Sequence, residues 1–328
     1  MMRVAVFNCR EDEKEFFTQY APQYGAEVVD IPQCPTAENT GLTYGCDCVN
    51  ITSDAPVTAE MIDRYVAGGV KYLVTRTIGR EHIDTEYAAK AGLGVGSITY
   101  SPDSVADYTI MLILMVLRNV KTIMKRSEGG DFSLTAVRGR QLGNLTVGLL
   151  GTGNIGAVTA KHLSGFGCRI FAHTRHPSPE LKGILTYVDF DTLLAQSDIL
   201  SLHVPADSST FHIVDREAIG KMKAGAVLIN TARGTLVDTD ALIDGLESGR
   251  IGGAGLDVVE NDREIFYRDQ KQKIIPNRQM AVLNAMPNVI LLPHTAFYTD
   301  QAVKDMVKRS LQNCCEYLDT CKEKEKTA

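Results

Sequence analysis

An apolar strand pattern at residues 145–150 runs directly into Gly151, Thr152, Gly153, Asn154, Ile155 and Gly156, and a helical pattern begins at once from Ala157. No other segment restricts the fold so tightly. In a G-x-G-x-x-G turn between strand and helix, Gly151 allows the tight turn and Gly153 lets the backbone approach a pyrophosphate. Gly156 lets the helix pack closely, and the N–H groups at the helix start face the anion. The segment therefore predicts a βαβ unit that holds a dinucleotide, with Gly151, Gly153, Asn154, Ile155 and Gly156 as its cofactor-binding residues.

The same alternation extends through the chain. Short apolar runs at 4–7, 27–29, 49–51, 72–75 and 94–97 are separated by helical stretches such as 11–20 and 59–67, and after 145–150 further runs follow at 169–173, 199–203, 226–230, 253–257 and 289–292. Strands alternating with helices mean parallel sheets joined by crossovers. The expected fold is α/β, with two doubly wound parallel-sheet domains, the larger a Rossmann-type dinucleotide-binding domain. A substrate domain is expected at 1–100 with 299–328, and the dinucleotide domain at 101–298. Ser101 reads as the N-cap of a long bridging helix, with Pro102 and Asp103 in its first turn. Beyond Thr299, the spacing of Val303, Met306, Val307, Leu311 and Cys315 predicts an amphipathic helix that returns to the first domain and ends in a solvated charged tail.

Composition removes several function classes. The 328 residues carry 34 Lys+Arg against 40 Asp+Glu, a net charge of −6, which is not the basic surface that nucleic acid or an anionic membrane requires. The longest apolar run, 109–117, stops at Arg118, short of the ~20 residues that cross a bilayer, and reads as a buried helix. The first residues enter a strand pattern without a leader pattern, so a cytoplasmic protein is expected. Eight scattered cysteines in a core-forming chain read as thiols. Cys46 and Cys48, spaced CxC with no second pair beside them, read as buried positions on one strand face; no metal site is expected.

The end of the strand at 169–173 bears on cofactor choice. An NAD site commonly places Asp or Glu there, about 20 residues beyond the glycines, to accept from the ribose 2′-hydroxyl. Here Thr174 and Arg175 follow instead. Arg175 can face a 2′-phosphate, and the missing acid removes the repulsion that would exclude one. NADH and also NADPH are the expected cofactors.

The order of GTGNIG, then 201–205 (SLHVP), 230–238 (NTARGTLVD), 255–260 (GLDVVE) and 293–298 (PHTAFY) resembles the D-isomer-specific 2-hydroxyacid dehydrogenases over nearly the whole chain. Segments 69–79, 82–84 and 100–108 are similar to D-lactate dehydrogenases, and most resemble the branch that makes D-lactate for vancomycin-resistant cell-wall precursors.

The resemblance implies a catalytic set. Reduction of a 2-oxo acid needs a cation for the carboxylate, a proton donor for the developing alkoxide and a partner that tunes the donor. Arg233 matches the substrate arginine, whose planar fork suits a carboxylate, and His294 matches the acid/base histidine. The family supports that histidine with a Glu five positions after the Asp of its LDV motif. Here that position is Asp262, one methylene shorter, with Glu264 nearby and Glu260 before it. Asp262 can still raise the imidazole pKa if its loop lies inward.

The resemblance further implies that Asp257 binds the nicotinamide amide and that Val105, His203, Val204, Pro205, Thr231 and Ala232 line the cofactor. Ile78 and Gly79 would receive the substrate carboxylate through backbone N–H groups, and Tyr100 and Tyr298 would wall the pocket. A homodimer through the cofactor domains, using the helix after Ser101, is expected. His162 and His212 show no partner spacing and read as helix or surface residues.

The expected activity is reduction of pyruvate to D-lactate. The alternative is a larger 2-oxo acid, branched-chain, aromatic or 2-oxoglutarate, since the residues around Thr52 and Phe297 set pocket volume. A dinucleotide-sensing binding protein can use the same fold, but would usually add a partner-binding extension or peptide groove, and none is evident.

Overall fold

The computed structural model describes residues 1–53, 55–263 and 265–327, with side chains to Glu323 in the last helix. The chain divides into two compact units, Met1–Ser101 with Tyr298–Ala328, and Pro102–Phe297.

In the first unit, β1 (Met2–Phe7), β2 (Ala26–Ile31), β3 (Cys48–Ile51), β4 (Tyr72–Thr75) and β5 (Gly94–Ser97) form one parallel sheet in the order β2-β1-β3-β4-β5. The order reverses between β1 and β3, the place where doubly wound sheets open at their carboxyl edge. Helices α1 (Glu11–Tyr20), α2 (Ala59–Ala67) and α3 (Thr85–Ala91) provide crossovers. One face buries Ala5, Phe7, Val49, Ile51, Met61, Ile62 and Leu73. Arg76, just beyond β4, is fully buried. Its guanidinium donates to Glu13 Oε1 at 2.9 Å, Asn50 Oδ1 at 2.8 Å and the Phe7 carbonyl at 3.0 Å. A buried ion pair needs that full set of partners to offset its desolvation. The network fixes the start of the 77–79 loop, where the Thr77 hydroxyl donates to the Gly79 carbonyl at 2.7 Å.

The second unit begins with α4 (Asp103–Leu117) and α5 (Val120–Glu128). Then come β6 (Thr146–Leu150), α6 (Asn154–Ser164), β7 (Arg169–His173), β8 (Thr186–Tyr187), α7 (Phe190–Gln196), β9 (Ile199–Leu202), α8 (Arg216–Lys221) and β10 (Ala226–Asn230). The unit ends with α9 (Thr239–Glu247), β11 (Ile251–Leu256), α10 (Arg278–Ala285) and β12 (Val289–Leu291). The parallel sheet runs β12-β11-β10-β9-β6-β7-β8, with its switch point between β6 and β9. Its central strands are buried on both faces, as expected when helices cover both sides.

Four details depart from the sequence expectations. The N-cap of α4 is Pro102, and Ser101 instead donates its N–H to Asp305 at 3.2 Å. The two-residue β8 lies in a segment too short to show a strand period. Cys46 is buried but precedes β3, so only Cys48 of that pair belongs to the strand. In α11 (Asp300–Thr327), Cys314 rather than Cys315 joins the buried stripe of Val303, Met306, Val307 and Leu311. All eight cysteines are thiols.

Candidate active site

The turn after β6 fits a dinucleotide by its empty space as much as by its glycines. Gly151 has φ +95° and donates its N–H to the His173 carbonyl at 2.8 Å. A Cβ on Gly156 would lie 2.2 Å from the Gly151 oxygen, whereas a Cβ on Gly153 would meet nothing within 4 Å. Gly156 is therefore needed for helix packing, and Gly153 borders the space a pyrophosphate would fill. Gly153 is also the N-cap of α6 and supplies no side-chain acceptor, which leaves the first-turn N–H groups of Asn154 and Ile155 to an anion.

Across the switch point, His203 donates its N–H to the Leu150 carbonyl at 2.7 Å, and its Nε2 lies 2.9 Å from Ser201 Oγ. Burial pushes the imidazole down to about 4, so it is neutral near pH 7. Val204 and Ala232 are half-buried and Pro205 is exposed, while Val105 and Thr231 are buried. The Thr231 hydroxyl lies 2.8 Å from that of Thr109 on α4. Beyond β7, Thr174 is half-buried and Arg175 exposed. Arg175 shares its field with Asp207, whose carboxyl is held below its usual range first by Ser209 and also by Arg175.

The next three strand ends carry the chemical groups. After β10, the Asn230 side chain braces a tight turn, accepting from the Ala232 N–H at 3.0 Å and donating to the Arg233 carbonyl at 2.8 Å. Arg233 follows in extended backbone, φ −144° and ψ 142°. After β11, the Asp257 carbonyl accepts from the His294 N–H at 2.8 Å. The buried Asp257 carboxylate accepts from the Thr295 and Ala296 N–H groups, both at 2.9 Å. Its oxygens thus hold the histidine loop, an engagement that the resemblance to a nicotinamide-amide ligand did not include. Burial raises the Asp257 pKa against these hydrogen bonds.

His294 itself is in the left-handed region, φ +54°. Tyr267, also left-handed, donates its hydroxyl to the His294 carbonyl at 2.8 Å, and its ring centroid lies 5.8 Å from the imidazole. Phe297 meets the imidazole edge-on at 6.2 Å. Asp262 accepts from the Val259 N–H at 3.1 Å. Burial raises its pKa, opposed by that N–H and by the positive charges of Arg233 and Arg263. Arg233 and Asp262 are thus brought into one electrostatic neighbourhood. Glu264 lies outside the described residues.

In the first unit, Ile78 is exposed and Gly79 half-buried on the loop after β4, and Tyr100 is half-buried beyond β5. Tyr298 is half exposed, with the Arg10 guanidinium 5.5 Å from its ring centre.

Sequence spacing missed two histidine pairs. His162 Nδ1 lies 2.9 Å from Asp107 and its Nε2 3.5 Å from Asp103, joining α6 to α4. His212 Nε2 lies 2.7 Å from Glu260 Oε1. The partners are distant in sequence and meet only in the fold, so no local pattern marks them. Tyr267 was missed too; its sequence neighbourhood carries no recognisable motif.

Comparison with known proteins places the chain in a family. Residues 110–296 match the model of the D-isomer specific 2-hydroxyacid dehydrogenase NAD binding domain. A D-specific alpha-keto acid dehydrogenase from Enterococcus faecium is 44% identical over 314 residues, covering 96% of each chain. An aromatic 2-oxoacid reductase from Clostridium sporogenes is 35% identical over 325 residues, 98% of each chain. The crystal structure of a D-lactate dehydrogenase from Treponema pallidum superposes with a TM-score of 0.89 at 33% identity, covering 97% of each chain. This protein is therefore an NAD-binding oxidoreductase of 2-hydroxy and 2-oxo acids, and the chain belongs to the D-isomer specific 2-hydroxyacid dehydrogenase family.

Proposed function

We propose that the enzyme is a D-lactate dehydrogenase that reduces pyruvate to D-lactate. The observation that carries the reading is the set of adjacent strand ends in the second unit: β10 leads to Arg233, β11 to Asp257 and Asp262, and the Asp257 carboxylate holds the loop of His294 after β12. Arg233 takes the substrate carboxylate and polarises the neighbouring carbonyl, and His294 gives its proton to the oxygen as it becomes an alkoxide. Asp262 favours the protonated imidazole before transfer. The bound dinucleotide supplies the hydride. Residues 1–100 and 299–328 form the substrate domain, with the Ile78 and Gly79 N–H groups receiving the carboxylate and Tyr100 and Tyr298 walling the pocket. Residues 101–298 bind the cofactor through Gly151, Gly153, Asn154, Ile155, Gly156, Val105, His203, Val204, Pro205, Thr231, Ala232 and Asp257.

NADPH serves beside NADH, since Thr174 and Arg175 stand where a carboxylate would exclude the 2′-phosphate. The enzyme works as a homodimer in the cytoplasm. The dimer reading rests on the apolar surface of α4 and α5, where Met111, Ile123 and Met124 are exposed beside Leu114 and Met115. The compartment rests on the eight thiols; among the described residues no helix is long and apolar enough to cross a membrane.

A second reading, a larger 2-oxo acid, is favoured by the name of one relative, an aromatic 2-oxoacid reductase. Initial rates with NADH on pyruvate, 4-methyl-2-oxopentanoate, phenylpyruvate and 2-oxoglutarate separate the two. The highest kcat/KM on pyruvate is expected; a larger acid preferred by tenfold or more would replace the pyruvate assignment. Sedimentation at micromolar protein tests the dimer, and a monomer there would refute it.

A further inference from the structure

We propose that His212 and Glu260 are positioning residues for the proton donor: together they hold the loop of Asp262 inward, and so set the pH range over which His294 stays protonated. The proposal rests on the assignment of His294 as acid/base and Asp262 as its support.

The carboxylate of Glu260 is tied on both oxygens. His212 Nε2 lies 2.7 Å from Oε1, and Thr239 donates its N–H at 3.1 Å and its hydroxyl at 2.6 Å to Oε2. The Glu260 carbonyl accepts from Asn277 Nδ2 at 3.0 Å. Two residues later, Asp262 folds back to accept from the Val259 N–H. The stretch from 259 to 262 is therefore pinned to α9, to the loop before α8 and to the cap of α10.

His212 is itself held firmly. Its backbone is left-handed, φ +49°, its N–H donates to the Thr235 carbonyl at 2.9 Å, and its ring stacks on Phe211 at 3.9 Å. A non-glycine residue in this conformation carries strain that the surroundings must hold. Thr235 lies two residues after Arg233, so one histidine links the arginine turn to the acid loop. The link matters because Asp262 is one methylene shorter than glutamate. A short side chain keeps its electrostatic reach only while its backbone stays in place, and the field falls with distance. Among the described residues, Arg233, Arg263 and Asp257 are the charged groups acting on Asp262, and His212 faces Glu260.

The test follows kcat against pH for 2-oxo acid reduction with NADH, using the fastest of the four 2-oxo acids. Reduction requires protonated His294, so activity falls as pH rises through its pKa. A weaker supporting charge moves that fall to lower pH. Asp262→Asn is expected to move it down by about 1–3 pH units, and His212→Ala by roughly 0.5–1 unit in the same direction. NADH affinity should stay within about twofold of wild type. His212→Gln, whose amide N–H can still reach Glu260, should restore most of the profile. The double variant His212→Ala with Asp262→Asn should move no further than Asp262→Asn alone, because the histidine acts through that acid.

An unmoved profile in His212→Ala, where Asp262→Asn does move, overturns the positioning role while leaving the acid assignment intact. An unmoved profile in Asp262→Asn overturns the assignment of Asp262 and the proposal with it. Additive shifts in the double variant also overturn it. If His212→Ala does not fold, Thr239→Val, which removes only one hydroxyl donor to Glu260, should give a smaller shift of the same sign; no shift there overturns the proposal.

Discussion

Gly234→Ala tests how closely the arginine turn and the acid loop must approach. A Cβ on Gly234 would lie 2.1 Å from the Val259 carbonyl oxygen, 2.2 Å from its carbon and 2.7 Å from the Glu260 nitrogen. All three are backbone atoms, so no side-chain rotation relieves the clash. Reaching ordinary contact at 3.4 Å requires the loops to part by at least about 1.3 Å, since a packed interior has no slack to absorb it. Parting them displaces Arg233 or Asp262, and a 1 Å misplacement costs about 10²-fold in rate, or ~2.7 kcal/mol of transition-state stabilisation. The overpacked fold should lose roughly 1–3 kcal/mol. The assay is kcat/KM for the 2-oxo acid, with NADH binding by fluorescence and stability by urea unfolding. NADH binding should persist, because the glycines at 151–156 are untouched. Gly220→Ala is the control: its Cβ meets nothing within 4 Å and it lies inside α8, so activity should be unchanged. Wild-type kcat/KM in folded Gly234→Ala would refute the reasoning.

Removal of the acid/base in His294→Ala should lower turnover by about two to four orders of magnitude with NADH binding kept; near-normal turnover in folded variant would dismiss it as proton donor. Arg233→Lys should lower kcat/KM for the 2-oxo acid, because an ammonium cannot reproduce the bidentate fork, and steady-state kinetics decide it. Thr174→Asp should shift discrimination toward NADH. Arg175→Ala should weaken NADPH more than NADH, by about 1.5–3 kcal/mol at fixed ionic strength; equal loss of both cofactors would contradict this. Gly153→Ala should leave the melting temperature nearly unchanged yet weaken NADH binding, because its Cβ enters only open space. His203, pushed down to about 4, favours the fold fully above pH 6.5. That contribution is lost as pH falls from 6.5 toward 4, because the unfolded imidazole takes a proton the folded one refuses. It is worth at most about 3 kcal/mol, less for the part of the ring open to water. Urea unfolding across that window should lose part of its slope in His203→Asn.

What could be read from the sequence was whatever a local pattern encodes. Central strands such as β10, buried along their whole length, announce themselves as continuous apolar runs. The β6–α6 turn is legible because its glycines, strand and helix are contiguous. Pairings between distant segments are not. Arg76 and Glu13, 63 residues apart, carry no local pattern that marks them as a pair, yet the fold buries both. His212, which reads as a helix or surface residue, likewise meets Glu260, 48 residues away, only in the fold. The phase of α11 is a subtler case: Cys314 and Cys315 are adjacent, and over a helix of 28 residues a one-residue choice of stripe is fixed by packing rather than by spacing.

Asp257 shows why motif and mechanism are not read from the same atoms. A motif match gives this residue a ligand, but the folded chain gives its carboxylate the N–H groups of Thr295 and Ala296, and its carbonyl the N–H of His294. His294 is left-handed, a conformation costing a side-chain-bearing residue about 1–2 kcal/mol. Hydrogen bonds to an ionised acceptor are each worth about 1.5–3 kcal/mol, enough to hold that strain and to offset part of the desolvation of the buried acid. On the proposed assignment, the backbone of the proton donor is fixed by an acid on the neighbouring strand end, while its protonation is tuned by a different acid five residues on. In that scheme, separating the two tasks would let Asp262 be a methylene shorter than glutamate without loosening His294, with its loop held through the ties of Glu260 to His212 and Thr239.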